Sequence, residues 1–329
     1  MRIIIYGAGA VGGTIGARLH QHGHDTVLIA RGAHLETLRR DGLLFQTPAE
    51  ELRLPVAAVG SPAKIEWRDG DVVILTMKAQ DTVGALEDLR AAAGDNIPVV
   101  CCQNGVANER MALRRFERVY GMMVWLPAVH LEPGVVQSNL AGKSGVLDVG
   151  RFPGGVDDVA RDVAAALTAS NFVSLPDPNV MRWKYAKLLS NLNNAIDALC
   201  GRSGETRDLA RMAREEGIAC YKAAGIAWAD PDEERERRAE LMQFGEVAGQ
   251  QRAGGSTWQS LARGSRSVEV DFLNGEICQL GRMHGVATPV NRVLQLLGNR
   301  AAREGMAAGS FDVAELRRAI AETGVAVTA

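Results

Sequence analysis

The chain opens with an apolar run that leads straight into three glycines at a fixed spacing. Ile3–Tyr6 is followed by Gly7, Gly9 and Gly12. Glycines at this spacing also serve ordinary tight turns, but here an apolar strand precedes them and a helical pattern follows. This context predicts a turn whose main-chain amides approach a pyrophosphate at a helix N-terminus. The candidate dinucleotide-binding residues are Gly7, Ala8, Gly9, Ala10, Val11 and Gly12.

The second predicted strand, Thr26–Ala30, ends at Arg31. In dinucleotide-binding folds the end of this strand meets the adenosine ribose. An acidic residue there binds the 2′-hydroxyl of NAD, whereas a cation suits the 2′-phosphate of NADP. A surface arginine is common in any protein, but at this position Arg31 favours NADP(H) as the cofactor.

Strands and helices alternate through the first half of the chain, the pattern typical of a doubly wound parallel sheet. The apolar, β-branched runs resemble strands buried on both faces. Strands are expected at Ile3–Tyr6, Thr26–Ala30, Val72–Thr76, Val99–Cys102 and Val119–Trp125, and helices at Val11–His22, His34–Asp41, Thr82–Ala93 and Asn108–Arg114. Two shorter strands, Gly134–Ser138 and Gly145–Val149, are expected as an antiparallel extension at the edge of this domain.

Beyond about residue 157, helical periodicity dominates to the C-terminus. We therefore expect an α/β protein with a Rossmann-type, doubly wound parallel sheet in a domain over 1–175 and an all-helical domain over 176–329. The link is expected near Ser174–Asn179, which contains two prolines. Helices are predicted at Val156–Ala169, Val180–Leu199, Thr206–Ala224, Asp230–Arg252, Val268–His284, Pro289–Glu304 and Asp312–Glu322.

Composition excludes several classes of function. With 37 basic and 39 acidic residues the formal charge is −2, so no nucleic-acid partner is indicated. No apolar stretch reaches the roughly 20 residues that span a bilayer, so no membrane partner is expected. The five cysteines are scattered and form no metal-binding motif, which favours a reducing cytoplasm and no metal. The oligomeric state stays open, with a homodimer as the commonest arrangement.

The segment 182–194 carries the most informative polar pattern. On a continuous helix, Lys187, Asn191 and Asn194 would fall on one narrow stripe. A solvated helix face is the ordinary interpretation of such a stripe. Solvated stripes usually mix charges of both signs, however, and this one holds a single cation flanked by neutral amides. The pattern suits an anionic small molecule in a cleft.

Three further segments hold candidate site residues. Ser256 stands in a polar stretch, and Glu269 begins a segment where a helix dipole alone would favour acids. Asn104 and Lys78 follow two strands of the predicted sheet, at the edge where ligands of open α/β sheets bind. Asn104-Gly105 is also a common turn pair, and Lys78 could equally be a solvated loop lysine.

Assembled, these residues resemble the ketopantoate reductase (2-dehydropantoate 2-reductase) family over nearly the whole chain. No single motif is specific, but the set is. It comprises Gly7-x-Gly9-x-x-Gly12, Lys78-Ala79, Gln103-Asn104-Gly105, Lys187-Leu-Leu-x-Asn191, Ser256-x-x-Gln259, Val268-Glu269-Val270-Asp271-x-x-Asn274-Gly275 and Gly285-Val286-Ala287-Thr288-Pro289-Val290-Asn291.

The resemblance implies an NADPH-dependent reduction of a 2-oxo acid, most simply ketopantoate to pantoate. Lys187 matches the family's general acid, and Glu269 the glutamate that supports it and binds substrate. Asn191 and Ser256 match residues that hold the 2-oxo acid, and Asn104 matches the asparagine between nicotinamide and substrate. Where the family often has a further asparagine, this chain has Ala195, so Asn194 is the candidate replacement.

Two other functions stay open from the sequence alone. A paralogous NADP-dependent enzyme would act on another 2-oxo acid, a 3-hydroxy acid or an opine-type imine. A non-catalytic sensor would keep the NADP(H)-binding fold without the reaction. The lysine, glutamate and amide set argues against the sensor, because a sensor needs no general acid.

Overall fold

The structure is a computed structural model that describes residues 1–202, 204–239, 243–247, 249 and 254–324. Its chain forms two compact units. The first comprises Met1–Lys184 and Ala229–Arg252, and the second comprises Tyr185–Trp228 and Ala253–Ala329. The chain therefore leaves the first unit after residue 184 and returns to it once. The domain limits expected at 175–176 remain a prediction.

The described strands form two sheets, both in the first unit. In chain order they are β1 (Arg2–Tyr6), β2 (Thr26–Ile29), β3 (Leu43–Gln46), β4 (Glu51–Leu54), β5 (Ala57–Val59), β6 (Asp71–Leu75), β7 (Val99–Cys101), β8 (Val119–Met122), β9 (Ala128–Val129), β10 (Val135–Ser138) and β11 (Val149–Arg151).

The larger sheet has seven strands in the order β11-β8-β7-β6-β1-β2-β5. Every pairing is parallel except that of β11 with β8. From β1 the chain winds outward first through β2 and β5 and then, on the other side, through β6, β7 and β8. This reversal is the doubly wound arrangement expected from the sequence, and its switch point lies between β1 and β6.

Side chains alternate between the two faces of β1, as the pleat requires. Ile3 and Ile5 pack into one apolar cluster, while Ile4 and Tyr6 pack into another on the opposite face. Both clusters are buried, which explains why this strand is apolar at successive positions.

The second sheet has four strands in the order β4-β3-β10-β9. Of these, the sequence predicts β10 alone. The prediction for β10 is close in its bounds, but β10 is an inner strand of this second sheet, parallel to β3 and antiparallel to β9. Of the predicted strand Gly145–Val149, only Val149 belongs to β11, which is antiparallel to β8, while Val146 makes isolated bridges to Trp125 and Val173.

The described helices are α1 (Ala10–Gln21), α2 (Gly32–Asp41), α3 (Thr82–Ala93), α4 (Asn108–Leu113), α5 (Asp158–Ala169), α6 (Val180–Asn191), α7 (Asn194–Cys200), α8 (Arg207–Ala224), α9 (Pro231–Ala239), α10 (Ser256–Ala262), α11 (Asn274–His284), α12 (Pro289–Glu304) and α13 (Val313–Ala321). Short 3-10 helices occupy Pro62–Lys64, Ala79–Asp81, Gly204–Thr206 and Glu269–Phe272. None of the helices in these described ranges is long and apolar enough to cross a bilayer.

The second unit is helical, as expected. Its apolar core includes Leu188, Leu192, Leu209, Ile277 and Leu294, all of them buried. Gly217 of α8 is a point of close approach, because a Cβ there would lie 2.6 Å from Leu189 Cδ2. Helix α8 also packs on α11 and α12.

Several further predicted elements differ from the structure. The helix expected at Val268–His284 is divided into the 3-10 helix Glu269–Phe272 and α11, with Leu273 between them. Three larger differences concern other segments. The helix expected at Asp230–Arg252 is formed only at Pro231–Ala239. Beyond it, Phe244 forms an isolated antiparallel β-bridge with Leu140. Residues 240–242, 248 and 250–252 of the predicted helix lie outside the described residues. The expected link Ser174–Asn179 lies against the sheet edge, where Asp177 N donates to Val149 O. Prolines end the helix pattern there but leave neighbouring main-chain groups free to pair with an edge strand.

The third difference is in the segment expected as one helix at Val180–Leu199. It is broken into α6 and α7, with Leu192 and Asn193 between them. The apolar periodicity continues through the break, so the sequence pattern could not reveal it.

Asp157 is the N-cap of α5. Its carboxylate accepts from Ala160 N at 3.1 Å and from the Tyr120 hydroxyl at 2.8 Å. Burial and this hydrogen bond raise the pKa of Tyr120 to about 12. The carboxylate therefore joins the helix to β8.

We expect Asp157→Ala to lower the free energy of unfolding by about 1–3 kcal/mol, the sum of a lost cap and a lost side-chain hydrogen bond. Thermal denaturation measures this as a lower Tm. The matched control is Asp158→Ala, because that side chain is 94% exposed and belongs to a surface ion pair. Equal losses in the two variants would contradict the capping role.

Candidate active site

The glycine-rich turn joins β1 to α1 and is shaped by close contacts. Gly7 has a φ of +109°, and a Cβ there would lie 2.7 Å from Met77 N. At Gly12 a Cβ would lie 2.3 Å from Gly7 O and 2.4 Å from Thr76 Oγ1. These two glycines are required by backbone conformation and by the approach of α1 to the end of β6.

Gly9 is different, because no contact with another described residue requires a glycine there. It is the N-cap of α1 with a φ of −74°, which other residues also adopt. A Cβ at this position would meet no described atom within 4 Å. Open space beside the first amides of a helix is what a pyrophosphate needs, so the turn fits a dinucleotide.

Two side chains that the sequence analysis missed hold this turn in place. The Thr76 hydroxyl lies 2.8 Å from Gly7 O and 3.1 Å from Tyr6 O. His34 Nε2 lies 2.7 Å from Ala8 O, while His34 Nδ1 accepts from Gly134 N at 2.9 Å. The imidazole is therefore neutral with its proton on Nε2, and burial lowers the pKa of His34.

Arg31 lies at the end of β2 as the N-cap of α2, with an exposed side chain. Its guanidinium lies close to the Tyr6 phenol, which is at the end of the neighbouring β1. Burial and the nearby Asp88 carboxylate raise the pKa of Tyr6, and Arg31 opposes that shift. The cation is thus positioned beside the glycine turn.

Lys78 and Asn104 follow β6 and β7 respectively, and both are half-buried. The order β7-β6-β1-β2 therefore aligns Asn104, Lys78, the glycine turn and Arg31 along one edge of the sheet. These are the carboxyl ends of parallel strands, where open α/β sheets bind their ligands.

In the second unit the break between α6 and α7 separates the candidate residues. Lys187 lies half-buried within α6, and Asn191 is the last residue of that helix. Asn194 is the first residue of α7. The single continuous stripe expected from the sequence is therefore interrupted. Asn191 Oδ1 is buried and has no hydrogen-bond partner among the described residues.

Asn194 and Ser256 begin two helices of the second unit that pack against each other. Helix α7 packs against α10, whose first residue is Ser256. Asn194 Oδ1 lies 3.6 Å from where a Cβ on Gly255, the N-cap of α10, would be. Asn194 therefore lies beside the N-terminus of α10, whereas Ala195 is buried, and the role of Asn194 as the replacement amide remains a prediction.

A chain of buried amides holds the helix break, and sequence reasoning assigned no role to it. Asn274 Nδ2 donates to Leu192 O at 3.2 Å and to Asn291 Oδ1 at 3.0 Å. Asn291 Nδ2 in turn donates to Glu216 Oε2 at 2.7 Å. The carbonyl left unpaired by the break is satisfied in this way.

Glu269 is 4% exposed and begins the 3-10 helix Glu269–Phe272. Its neighbour Asp271 faces α12, where Oδ1 accepts from Gln295 and Asn299 at 2.7 Å each. These two hydrogen bonds give Asp271 a structural role in joining the 3-10 helix to α12. The convergence of Glu269 with Lys187 remains a prediction.

Both halves of the chain match models of one family. The model described as ketopantoate reductase PanE/ApbA matches residues 3–154, and the model of its C-terminal part matches 179–300. The 2-dehydropantoate 2-reductase of Mesorhizobium japonicum is 31% identical over 343 residues, covering 93% of this chain and 99% of the relative. That of Pyrococcus horikoshii is 29% identical over 318 residues, covering 94% and 100%.

Solved structures with the same fold include a member of this family. A PanE/ApbA family ketopantoate reductase from Ralstonia eutropha JMP134 is 30% identical, with a TM-score of 0.78 over 93% of this chain and 99% of that one. D-mandelate dehydrogenase, solved with NADH and anilino(oxo)acetate, has a TM-score of 0.79 over 93% and 99%. At 23% identity it shares the fold alone. The chain belongs to the ketopantoate reductase PanE/ApbA family.

Proposed function

We propose that this protein reduces 2-dehydropantoate (ketopantoate) to pantoate with NADPH. The observation that carries the proposal is the row of Asn104, Lys78, the glycine turn and Arg31 along the carboxyl edge of the sheet, in a chain whose two halves both match the family. The relatives from Mesorhizobium and Pyrococcus bear the name of this reaction.

The first unit would hold the cofactor. Amides of the turn Gly7–Gly12 bind the pyrophosphate, and the open space at Gly9 leaves room for it. Arg31 binds the 2′-phosphate through charge-assisted hydrogen bonds, which an NAD molecule could not receive. Lys78 adds a second cation at the same edge. Bound NADPH supplies the hydride that adds to the ketone carbon.

The second unit would supply the acid. Negative charge develops on the ketone oxygen as the hydride adds, so a cation placed there stabilises the transition state more than the ground state. Lys187 donates a proton or a charged hydrogen bond to this oxygen. The resemblance to the family is the support for this role.

The remaining residues orient the substrate. Asn191, Asn194 and Ser256 would hold its carboxylate and hydroxyl groups, and Asn104 would contact the nicotinamide. The buried Asn191 Oδ1 without a described partner supports a ligand role, because buried polar atoms are normally hydrogen-bonded. Glu269 binds the substrate hydroxyl and supports Lys187.

We also place the protein in the cytoplasm as a homodimer. All five cysteines are free thiols, as expected for a reducing compartment. Symmetric dimers are the commonest assembly of soluble enzymes.

We expect Lys187→Met to lower kcat by about 10²–10⁴-fold, because general acid catalysis contributes on that scale. NADPH affinity should change little. Steady-state kinetics and NADPH titration measure both. Lys222→Met, which removes an exposed lysine from α8 of the same unit, is the control. Near-normal turnover of the Lys187 variant would exclude this residue as the acid.

Arg31→Ala should weaken NADPH binding by about 10- to 100-fold, the scale of a lost hydrogen bond to a charged group. NADH binding should stay nearly unchanged, because NADH has no 2′-phosphate. Titrations with both nucleotides test this, with Arg40→Ala on the same helix as the control. Equal losses for the two nucleotides would remove Arg31 from the phosphate site.

Substitution by alanine should have different effects at Gly12 and at Gly9. Gly12→Ala places a Cβ against main-chain oxygen, so we expect a lower Tm, with about 1–3 kcal/mol of stability lost. Gly9→Ala meets open space, so the Tm should be nearly retained while NADPH affinity falls. Unchanged NADPH affinity in a folded Gly9→Ala protein would contradict the pyrophosphate site.

A further inference from the structure

A lysine lies buried at the carboxyl edge of the larger sheet. Lys184 is 3% exposed, and its ammonium lies 2.6 Å from Glu109 Oε1. The same nitrogen donates to the carbonyls of Gln103 at 3.0 Å, Cys101 at 3.1 Å and Met122 at 3.3 Å. The Cys101 and Met122 carbonyls end β7 and β8, and the Gln103 carbonyl lies in the loop after β7. One side chain therefore ties together the ends of two adjacent strands and the start of the loop that carries Asn104.

The other side of this loop is held by a separate network. Gln103 Nε2 donates to Thr82 Oγ1 at 3.2 Å, and Thr82 Oγ1 donates to Asn108 Oδ1 at 2.9 Å. Asn108 Nδ2 then donates to Asn104 O at 3.2 Å. The backbone on both sides of the Asn104 side chain is therefore fixed.

The ion pair is a poor candidate for a simple stabilising element. Glu109 has no exposed surface, and removing two charges from water costs about as much as their attraction returns. The Glu109 carboxylate, 2.6 Å from the ammonium, is the counter-ion of this buried lysine. What the pair provides is a charged group that can donate to three carbonyls at once.

We propose that Lys184, paired with Glu109, is a positioning residue for Asn104. It fixes the loop after β7 so that the Asn104 amide is held at the ligand edge of the sheet. The consequence for turnover rests on the function proposed above for Asn104. The expected effect on the structure of the loop does not depend on that function.

The first test measures the loop directly by hydrogen–deuterium exchange. The variant Lys184→Met with Glu109→Gln removes both charges and nearly conserves volume. The control, Arg2→Met with Asp71→Asn, removes a comparably buried ion pair from the amino edge of the same sheet. We expect exchange over residues 102–108 to rise about tenfold in the first variant alone. Equal exchange there in both variants would overturn the proposal.

The second test is a double-mutant cycle with Asn104→Ala. In the wild-type background, removing the Lys184–Glu109 pair should lower kcat by about 10- to 100-fold, as a misplaced group does, with NADPH affinity nearly retained. In the Asn104→Ala background it should have little further effect, because both changes remove the same contribution.

Independent, multiplicative losses would show that Lys184 does not act through Asn104 and would overturn the proposal. A wild-type protein that is inactive on 2-oxo acids would instead refute the proposed function. The exchange measurement would still decide the role of Lys184.

Discussion

The structure of the first unit depends on how closely α1 approaches the strands on either side of it. A Cβ at Gly12 would overlap Gly7 O and Thr76 Oγ1, and a Cβ at Gly16 would lie 2.4 Å from Leu28 Cδ2. On another side, Gly13 approaches the second sheet, where its Cβ would lie 2.6 Å from Val136 Cγ2. One glycine-lined helix therefore packs on both sheets. Because of this close packing, the N-terminus of α1, with its unpaired amides, points to the carboxyl edge of the larger sheet, where the other candidate binding residues lie.

Two ways of placing polar groups follow from this architecture. In the first unit, parallel strands end together, so residues far apart in sequence lie along one edge: Arg31, the glycine turn, Lys78 and Asn104. In the second unit, a break in a helix brings polar residues that are distant in sequence close together. The break after α6 lets Asn194 begin a new helix beside the N-terminus of α10, and Asn274 satisfies the carbonyl that the break exposes. Under the proposed function, the first unit would bind the cofactor and residues of the second would hold the substrate.

Much of the fold could be predicted because its signals are local. The apolar strands of the larger sheet and the glycine turn are visible in short windows of sequence, and the structure confirms them. The second sheet was largely missed, since β4 alternates exposed and half-buried residues and is stabilised only by pairing with β3. The break at Leu192 is fixed by Asn274, 82 residues away, which no helical period reveals. A signal for Lys184 did exist, because Val180 and Leu188 lie one turn to either side on the same buried face of α6.

The central claim is that this fold transfers a hydride from NADPH to a 2-oxo acid. The most direct measurement is the rate of NADPH oxidation by the purified protein with ketopantoate, compared with a panel of other 2-oxo acids. We expect the highest kcat/KM for ketopantoate, at about 10⁴ M⁻¹s⁻¹ or above, as is usual for an enzyme with its own substrate. Saturable NADPH binding with no oxidation in the presence of ketopantoate or any other 2-oxo acid would contradict it.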